Sequence, residues 1–406
     1  MKLGKEYQEG WYVSHYNFKE RESGKFNFPN KVVIHDNTLR EGEQHVGVSF
    51  TKEQKKEIAI KLSEAGIPRI EVTIIASSEE DRQALKEISV MNLNSKIFGL
   101  CRLMKKDVDM AIECGIKDIG LILLGNDQYL KTYNWQVDQL IAMASETAKY
   151  AKEKGFFVTL MIADASKMDT DRFLKIVNTV AQEANIDSVS AMDTFGGFSP
   201  LGTESFVTTV TKEMLVPLEL HCHNDYGLAT ANSLAAVSKG IKTLHTSILG
   251  LGERIGNAPT EEVVASLEML YGVDTGIKLN KLYELAKLVS EYSGIPLLNN
   301  KTVVGGGINH IVSGLVATEY VRLKDANEGM EKWLFPFLPE TVGLDQTELV
   351  LGKASGNSNL DWALKKKGIL LNDEQKKILL NKVKNKASNE NKLITPEELF
   401  KMVEDL

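Results

Sequence analysis

Short apolar runs and longer amphipathic segments alternate along most of the chain from about residue 31. The apolar runs predict buried strands, and the amphipathic segments, with apolar residues at helical spacing, predict a helix after each. The first of these helices begins with a capping box formed by Thr51 and Gln54. The predicted strands are Val32–Thr38, Arg69–Ile75, Lys96–Leu103, Asp118–Leu124, Phe156–Asp164, Ser188–Thr194, Leu218–Asn224 and Thr243–Gly250.

Eight strand–helix units in roughly 240 residues have the number and length of a (β/α)₈ TIM barrel. The rival fold is a doubly wound open sheet, in which a glycine-rich fingerprint follows the first strand. Here the first predicted strand opens into the polar segment Leu39–Gln44, which has no such fingerprint. The predicted fold class is therefore α/β, a TIM barrel with a mostly helical C-terminal extension.

The strand–helix alternation ends near residue 275. A helical run at Leu279–Tyr292 leads to a glycine-rich loop, and a lysine-rich tail, Lys365–Lys392, precedes a helix capped by Thr395. The charge run in the tail is typical of a solvated helical face. The predicted segments are an N-terminal extension (1–30), a catalytic barrel (31–275), a linker or subdomain (276–360) and a C-terminal helical region (361–406).

The composition of the 406 residues is ordinary for a soluble globular protein, with 43% apolar and 25% charged residues. A net charge of −7 argues against a nucleic acid or an anionic membrane as a partner. Three cysteines without a C-x-x-C pair suit a reducing compartment. Because the N-terminus is charged and aromatic, without an apolar leader, we expect a cytoplasmic protein.

Two histidines, His221 and His223, lie at the carboxyl end of the predicted seventh strand. Residues two apart on a strand point to the same face, so both imidazoles are expected to project together at the barrel mouth, where barrel active sites lie. Two neutral imidazoles are good ligands for a borderline divalent cation. The alternative is two unrelated polar residues at a strand end.

Two further polar segments follow the first and the eighth predicted strands. Residues 35–44 place Asp, Arg, Glu and Gln side chains just past the first strand, and Gly250–Pro259 is a glycine-rich turn after the eighth. Taken alone, the first could be a solvated loop with an arginine–carboxylate pair, and the second a plain connection. Both are expected at the catalytic rim of the barrel.

The three segments together match the motifs of one enzyme family. They read Asp-x-Thr-Leu-Arg-(Asp/Glu)-Gly-Glu-Gln, His-x-His-Asn-Asp-x-Gly-x-Ala-x-Ala-Asn and Gly-x-Gly-Glu-Arg-x-Gly-Asn. The chain resembles the group of 2-isopropylmalate, homocitrate and citramalate synthases, which also includes 3-hydroxy-3-methylglutaryl-CoA lyase. The resemblance covers residues 31–275 and continues through Leu349–Gly356, where Ala354 replaces the family's histidine. It implies a metal-dependent enzyme that condenses an acyl-CoA, most often acetyl-CoA, with a 2-oxo acid and releases coenzyme A.

By position, the resemblance assigns the metal ligands to Glu41, His221 and His223, with Asn257 as the fourth. Oxygen and imidazole ligands of this kind suit Mn²⁺, Zn²⁺, Co²⁺ or Mg²⁺. A 2-oxo acid can chelate such an ion through its ketone and one carboxylate oxygen, which polarises the ketone.

The resemblance also assigns three residues to the substrate. Arg40 hydrogen-bonds the ketone oxygen, Gln44 lines the same pocket, and Thr194 holds the carboxylate of the 2-oxo acid. An arginine at the ketone oxygen would stabilise the alkoxide that develops when a carbanion attacks.

Two features favour the condensing branch of the family. The lyases carry a Gly-Gly-Cys-Pro turn after the eighth strand and end soon after the barrel. Here the turn Gly252–Gly256 has no cysteine, and about 130 residues follow the barrel. A metal-dependent lyase or aldolase on the same barrel and a non-catalytic barrel that keeps the metal site are the alternatives.

The acceptor is expected to be a dicarboxylic 2-oxo acid, in a homocitrate-forming or citrate-forming reaction. The segments Glu71–Thr73 and Ala76–Glu79 are closer to the homocitrate branch. Arg102 matches the arginine with which that branch binds the distal carboxylate. The alternative for Arg102 is an ordinary surface ion pair.

The residues for proton transfer depart from the family pattern. The family's glutamate after strand five appears as Ala163, which leaves Asp164 as the nearest acid, and its histidine after the barrel appears as Val316. In the family the residues after the barrel reach into the partner subunit's site. His310 is the preferred replacement because an imidazole titrates near neutral pH, and Tyr320 is a second option. We therefore expect a homodimer in which His310 approaches the partner's metal site, with Asp164 as the alternative base.

Overall fold

The computed structural model describes residues 7–8, 10–22, 26–326 and 329–406. Eight parallel strands close into a barrel in which each strand pairs with the next along the chain and the eighth pairs with the first. The predicted TIM barrel is confirmed. The strands are β1 (Val33–Asp36), β2 (Arg69–Ile74), β3 (Lys96–Cys101), β4 (Asp118–Leu124), β5 (Phe157–Ala163), β6 (Ser188–Asp193), β7 (Leu218–Cys222) and β8 (Thr243–Thr246).

Several barrel strands end earlier than the sequence pattern predicts, because their last polar residues bond to neighbouring loops. After β7, the N–H of His223 donates to the carbonyl of Asp193 and the N–H of Asn224 to the carbonyl of Gly256. After β8, the chain turns at Leu249, whose φ is 60°. The polar residues at the barrel mouth therefore belong to loops that are tied to one another.

Helices cover the outside of the barrel and turn their apolar faces inward. The helix Thr170–Ala184, for example, buries Phe173, Ile176 and Val180. The capping box at Thr51 is confirmed, whereas the helix Asp127–Tyr133 was not predicted. The helices of this region are Tyr16–Glu22, Lys52–Ala65, Glu79–Ser89, Lys105–Glu113, Asp127–Tyr133, Val137–Glu153, Thr170–Ala184, Pro200–Val210, Ala229–Ser238, Thr260–Ala265, which continues as a π-helix to Leu270, and Leu282–Ser293, with short 3₁₀ helices at Gly42–Gln44, Ala165–Lys167, Ile248–Gly250 and Leu279–Lys281.

The chain forms two compact units. The barrel unit comprises residues 15–297, and the second unit comprises residues 298–406 with the described part of residues 1–14. This grouping differs from the four predicted segments at two places. The helix Leu282–Ser293 packs on Lys52–Ala65 and extends the barrel unit beyond residue 275. In the second unit, Trp11 forms a β-bridge with Phe337, so an N-terminal strand is joined to residues far along the chain.

The second unit is mostly helical, as predicted for the C-terminal extension. Its apolar core includes Leu351, Leu360, Leu379 and Leu399. Its elements are the strand pairs Tyr7–Gln8 with Trp11–Tyr12 and His310–Ile311 with Glu348–Leu349, the helices Gly314–Asp325, Asn357–Lys366, Asp373–Glu390 and Pro396–Glu404, and the 3₁₀ helices Met330–Leu334 and Pro339–Val342. Among the residues described, no helix has the length and apolar character needed to cross a membrane.

Candidate active site

Glu41, His221 and His223 lie together at the carboxyl ends of β1 and β7 and form what we call the outer cluster. All three are buried, and one potential ligand atom of each lies within 4.8 Å of the others. The two imidazole centroids are 5.0 Å apart and the rings are inclined at 65°. Because inclined rings can direct a lone pair of each toward one point, the outer cluster fits a divalent metal ion with carboxylate and imidazole ligands.

Two buried nitrogens of the outer cluster, Nε2 of His221 and Nδ1 of His223, have no hydrogen-bond partner in the described part of the chain. A buried polar atom left in this way costs about 1–3 kcal/mol, a cost that a metal–ligand bond would remove. Burial is the main cause that lowers the pKa of both imidazoles. Both are therefore neutral at pH 7, which is the form that ligates metals.

Glu41 is the N-cap residue of the 3₁₀ helix Gly42–Gln44, in the loop that follows β1. Its Oε1 lies 3.6 Å from Nε2 of His223, and its Oε2 accepts a hydrogen bond from Nη1 of Arg40. Burial opposes the negative charge, but Arg40 and His223 outweigh it and hold the pKa of Glu41 below its ordinary value. The outer cluster thus contains an ionised carboxylate and two neutral imidazoles.

Arg40 is held in place by Glu71, which lies on β2 with no exposed surface. Its Nε and Nη2 donate to Oε2 of Glu71 at 2.9 and 2.8 Å, and its Nη1 donates to Glu41. A guanidinium has five N–H groups, so these three bonds leave one N–H on each terminal nitrogen for a ligand. The sequence analysis did not predict this role of Glu71, although a carboxyl group in a buried strand signals a buried cation.

Asn257, the predicted fourth ligand, lies beside the outer cluster and forms a β-bridge with His223. Its amide lies 3.2 Å from the amide of Asn37 and 2.6 Å from the hydroxyl of Ser247. Asn37 in turn lies 3.2 Å from Nδ1 of His221. The ligand role of Asn257 stays a prediction. Asn37 was not predicted at all, because it occupies the variable position of its motif.

Thr194 and Asp164 meet at the ends of β6 and β5. The hydroxyl of Thr194 accepts the backbone N–H of Asp164 at 2.8 Å. The carboxylate of Asp164 is buried, accepts a hydrogen bond from Asn126 and lies 3.4 Å from Nζ of Lys167. Gln44 is half-buried in the 3₁₀ helix that follows Glu41. The substrate roles of these residues stay predictions.

Arg102 and His310 are outside this group of contacts. Arg102 donates from Nε and Nη2 to Asp107 at 2.9 Å each, and its side chain is 52% exposed. This is the ion pair that the sequence left open as the alternative for Arg102. His310 lies in the second unit, where it is exposed and pairs with Glu348 in the short parallel sheet. Its role toward a partner subunit stays a prediction.

A second group of two histidines and one glutamate lies inside the barrel, and we call it the inner cluster. It consists of His35, Glu219 and His245, all buried, with potential ligand atoms within 4.8 Å. Nε2 of His245 lies 2.9 Å from one carboxylate oxygen of Glu219, and Arg69 donates to the other at 2.8 Å. This cluster was not predicted from the sequence.

The rings of His35 and His245 are stacked, with centroids 4.2 Å apart and planes within 7° of parallel. A metal ion lies close to the plane of an imidazole that binds it, about 2 Å from the nitrogen. Two parallel, stacked rings have no such point in common. The inner cluster is therefore a packed ion-pair arrangement and does not fit a metal ion.

Comparison with known proteins gives concordant matches. The protein-family model HMGL-like matches residues 31–289. The chain is 37% identical to 2-isopropylmalate synthase from Methanocaldococcus jannaschii, over 94% of this chain and 72% of the relative. It is 38% identical to homocitrate synthase from the same organism, over 92% of this chain and 91% of the relative. Among solved structures, HMG-CoA lyase from Bacillus subtilis superposes with a TM-score of 0.61 at 23% identity, over 66% of this chain and 96% of that chain, which shows a common fold.

Proposed function

The chain belongs to the HMGL-like family, and on that basis we propose that it joins the acyl group of a coenzyme A thioester, preferably acetyl-CoA, to a 2-oxo acid. It is an enzyme of the acyltransferase type, since its relatives over most of its length are synthases. Its likeness to a lyase rests on the fold alone. A condensation is therefore favoured over cleavage by a lyase or aldolase and over a non-catalytic barrel.

The observation that carries the proposal is the outer cluster with Arg40 beside it. A divalent cation (Mn²⁺, Zn²⁺, Co²⁺ or Mg²⁺) held by Glu41, His221 and His223, with Asn257 as fourth ligand, would supply Lewis-acid polarisation of a ketone. A buried, fixed guanidinium adjacent to that point is suited to charge that develops on the ketone oxygen. Packing in a barrel has no need for this combination at its mouth.

Arg40 acts through the N–H groups that its carboxylate partners leave free. Two hydrogen bonds to Glu71 prevent the guanidinium from turning, so these N–H groups point in a fixed direction. Donors that are fixed before reaction stabilise a developing alkoxide without reorganisation. We assign the carboxylate of the 2-oxo acid to the hydroxyl of Thr194 and the wall of the same pocket to Gln44.

A base must remove a proton from the acyl methyl group before it can attack the ketone. We propose that His310 of a second copy of the chain is this base, in a homodimer, with Asp164 as the alternative. Mixed His310→Ala and Glu41→Ala chains should then recover part of the activity, because one of the two sites is assembled from unmutated residues. A fully active monomer, or an unchanged kcat in His310→Ala, would transfer the role to Asp164.

We propose a dicarboxylic acceptor, bound at its distal carboxylate by Arg102. Asp107 occupies the Nε and one Nη2 N–H of this guanidinium, so a distal carboxylate could bind the remaining N–H groups, and a bidentate contact of that kind discriminates strongly. Arg102→Ala should therefore remove a preference for oxaloacetate or 2-oxoglutarate over pyruvate and 2-oxoisovalerate. Arg172→Ala is the matched control, since Arg172 pairs with the exposed Asp127 at 2.7 Å. A wild type that prefers a monocarboxylic acid would exclude this acceptor.

Release of coenzyme A tests the reaction itself, because water would hydrolyse the thioester C–S bond after the new carbon–carbon bond has formed. Metal-loaded protein is mixed with acetyl-CoA and each of these four 2-oxo acids, and free thiol is measured. We expect release that requires both substrates and that disappears after treatment with a chelator. Release that is independent of the 2-oxo acid, or cleavage of a hydroxy-acyl-CoA without condensation, would contradict the proposal.

A further inference from the structure

Three buried side chains, Asn37, Asn257 and Ser247, form a continuous line of polar contacts that ends at His221, and we call this line the amide relay. All four residues have no exposed surface. We propose that the amide relay fixes His221 in the tautomer with its proton on Nδ1, so that the lone pair of Nε2 is free for the metal ion. This inference rests on the proposed function and makes Asn37 a positioning residue.

The hydroxyl of Ser247 determines the direction of the hydrogen bonds in the amide relay. Its oxygen lies 2.6 Å from the carbonyl oxygen of Leu251 and 2.6 Å from Oδ1 of Asn257. A hydroxyl has a single proton, and both of these oxygens can only accept. With Oδ1 of Asn257 in this position, one of the two contacts therefore brings together two oxygens with no proton between them.

A half-turn of the Asn257 amide removes the conflict, because it exchanges the oxygen and the nitrogen. The two atoms have nearly the same size and shape, so the turn leaves the packing unchanged. Nδ2 of Asn257 then donates to Ser247, and Ser247 donates to Leu251. The new N–H···O contact needs about 0.1 Å of relaxation to enter the normal range of N···O distances and about 0.3 Å to reach the commonest length. The same turn places the amide oxygen on the side of Asn257 that faces Gly252. A role as fourth ligand also requires that the oxygen, and not the NH₂ group, be available to the metal ion.

The orientation of Asn257 determines that of Asn37 and hence the tautomer of His221. The oxygen of Asn257 now faces Asn37 and requires an N–H from it. The amide oxygen of Asn37 is thereby turned to Nδ1 of His221, which must donate. A neutral imidazole carries one N–H, so Nε2 keeps its lone pair. Nε2 is also the nitrogen of His221 that lacks a partner in the described structure.

If the hydrogen bonds of the amide relay ran in the opposite direction, the proton of His221 would lie on Nε2, and that atom could not bind the metal ion. A histidine ligand usually donates its other N–H to a fixed acceptor, and loss of that acceptor typically lowers metal affinity by about 10–100-fold. Asn37 supplies this acceptor from the one variable position in the Asp-x-Thr-Leu-Arg motif. The amide relay therefore sets metal affinity through Asn37, which contacts the metal ligand His221 and not the metal ion itself.

The tautomer can be measured directly by NMR of histidine-labelled protein without metal. Long-range ¹⁵N–¹H correlations, assigned by comparison with His221→Asn, distinguish a proton on Nδ1 from one on Nε2. We expect the Nδ1–H form at His221 in the wild type and its loss in Asn37→Leu. An Nε2–H form in the wild type would overturn the inference, whatever the variants do.

Titration with Mn²⁺ supplies the second measurement. Asn37→Leu should raise the Kd by about 10–100-fold, whereas Asn37→Asp, which keeps an acceptor for Nδ1–H, should stay within about threefold of the wild type. Asn232→Leu removes another buried amide, one that donates to the carbonyl of Phe198, and should leave the Kd unchanged.

Equal Kd values for wild type and Asn37→Leu, or an equal loss in Asn232→Leu, would overturn the inference. If Asn37→Leu does not fold, the inference is tested by the Kd of Asn37→Asp for Mn²⁺ and by the tautomer of His221 in the wild type. A wild type that binds no Mn²⁺ would contradict the proposed function. The tautomer of His221 would still be tested, because NMR measures it without metal.

Discussion

The outer and inner clusters have the same composition, two histidines and one glutamate, yet their geometry differs. Both clusters contain imidazole nitrogens without a hydrogen-bond partner in the described structure. In the outer cluster the rings are inclined at 65°. In the inner cluster the rings are stacked within 7° of parallel, and both carboxylate oxygens have a partner. The direction of the lone pairs, and not the residue types, therefore distinguishes a metal site from a packed core.

The two clusters also differ in how they use an arginine. Arg40 is fixed by Glu41 and Glu71 at the carboxyl end of the barrel, and these three hydrogen bonds leave one N–H on each terminal nitrogen. Arg69 binds Glu219 and lies over the rings of Phe98 and Phe157, with its guanidinium carbon 5.5 and 5.1 Å from their centroids. We propose that the first arginine serves the reaction and the second the stability of the barrel.

The largest effect is expected at the inner cluster. Glu219→Gln should lower the free energy of unfolding by about 3–5 kcal/mol, because it removes the charge of a buried carboxylate that pairs with His245 and with the largely buried guanidinium of Arg69. Denaturant unfolding measures this loss, and metal binding of the folded protein should not change. Glu204→Gln, at a partly exposed pair with Lys239, is the control and should cost about 1 kcal/mol or less. Unchanged stability of Glu219→Gln would mean that the inner cluster has no structural role.

Asp36 is a buried carboxylate whose surroundings differ from those of Glu41 and Glu219. It accepts hydrogen bonds from the neutral hydroxyls of Thr38 and Thr260, whereas the two glutamates accept from arginines. Burial raises its pKa to about 7. A carboxyl group whose pKa is higher in the folded than in the unfolded protein stabilises the folded state fully at low pH. This stabilisation is lost as the pH rises from about 4 to 7. The loss is on the order of 4 kcal/mol.

The pH profile of unfolding tests this expectation. The stability of the wild type should decline relative to Asp36→Asn between about pH 4 and 7 and stay parallel to it above that range. Two profiles that run parallel from pH 4 upward would show that Asp36 has an ordinary pKa and that its hydrogen bonds compensate for burial.

At the outer cluster, Arg40→Ala should lower kcat by about 10²–10³, the scale for loss of one donor to a developing oxyanion. The KM for the 2-oxo acid should change much less, since the interaction grows in the transition state. Arg69→Lys is the control at the inner cluster and should keep kcat within a few-fold. A change confined to KM in Arg40→Ala would make Arg40 a binding residue.

The sequence predicted those features that depend on local patterns. Apolar periodicity located all eight strands, and capping residues such as Thr51 and Thr395 located helix starts. The outer cluster was found because its residues lie in recognisable motifs at strand ends. Strand ends were less accurate, because backbone groups such as that of Asn224 bond to distant loops.

The inner cluster could not be predicted because it depends on strand register. His245 on β8 lies opposite His35 on β1 and opposite His221 on β7 only after the barrel has closed. The contact of Glu71 with Arg40 has the same origin, since it joins side chains of two different strand–helix units. The joining of Trp11 to residues near Phe337 is equally non-local.

The central claim is that the barrel binds one metal ion and that the outer cluster is its site. Metal-free wild type, Glu41→Gln and Glu219→Gln are each titrated with Mn²⁺, and free ion is followed by electron paramagnetic resonance. We predict one ion per chain in the wild type and in Glu219→Gln, and none over the same concentration range in Glu41→Gln. Two ions per chain in the wild type, or binding that is lost in Glu219→Gln and kept in Glu41→Gln, would contradict the claim.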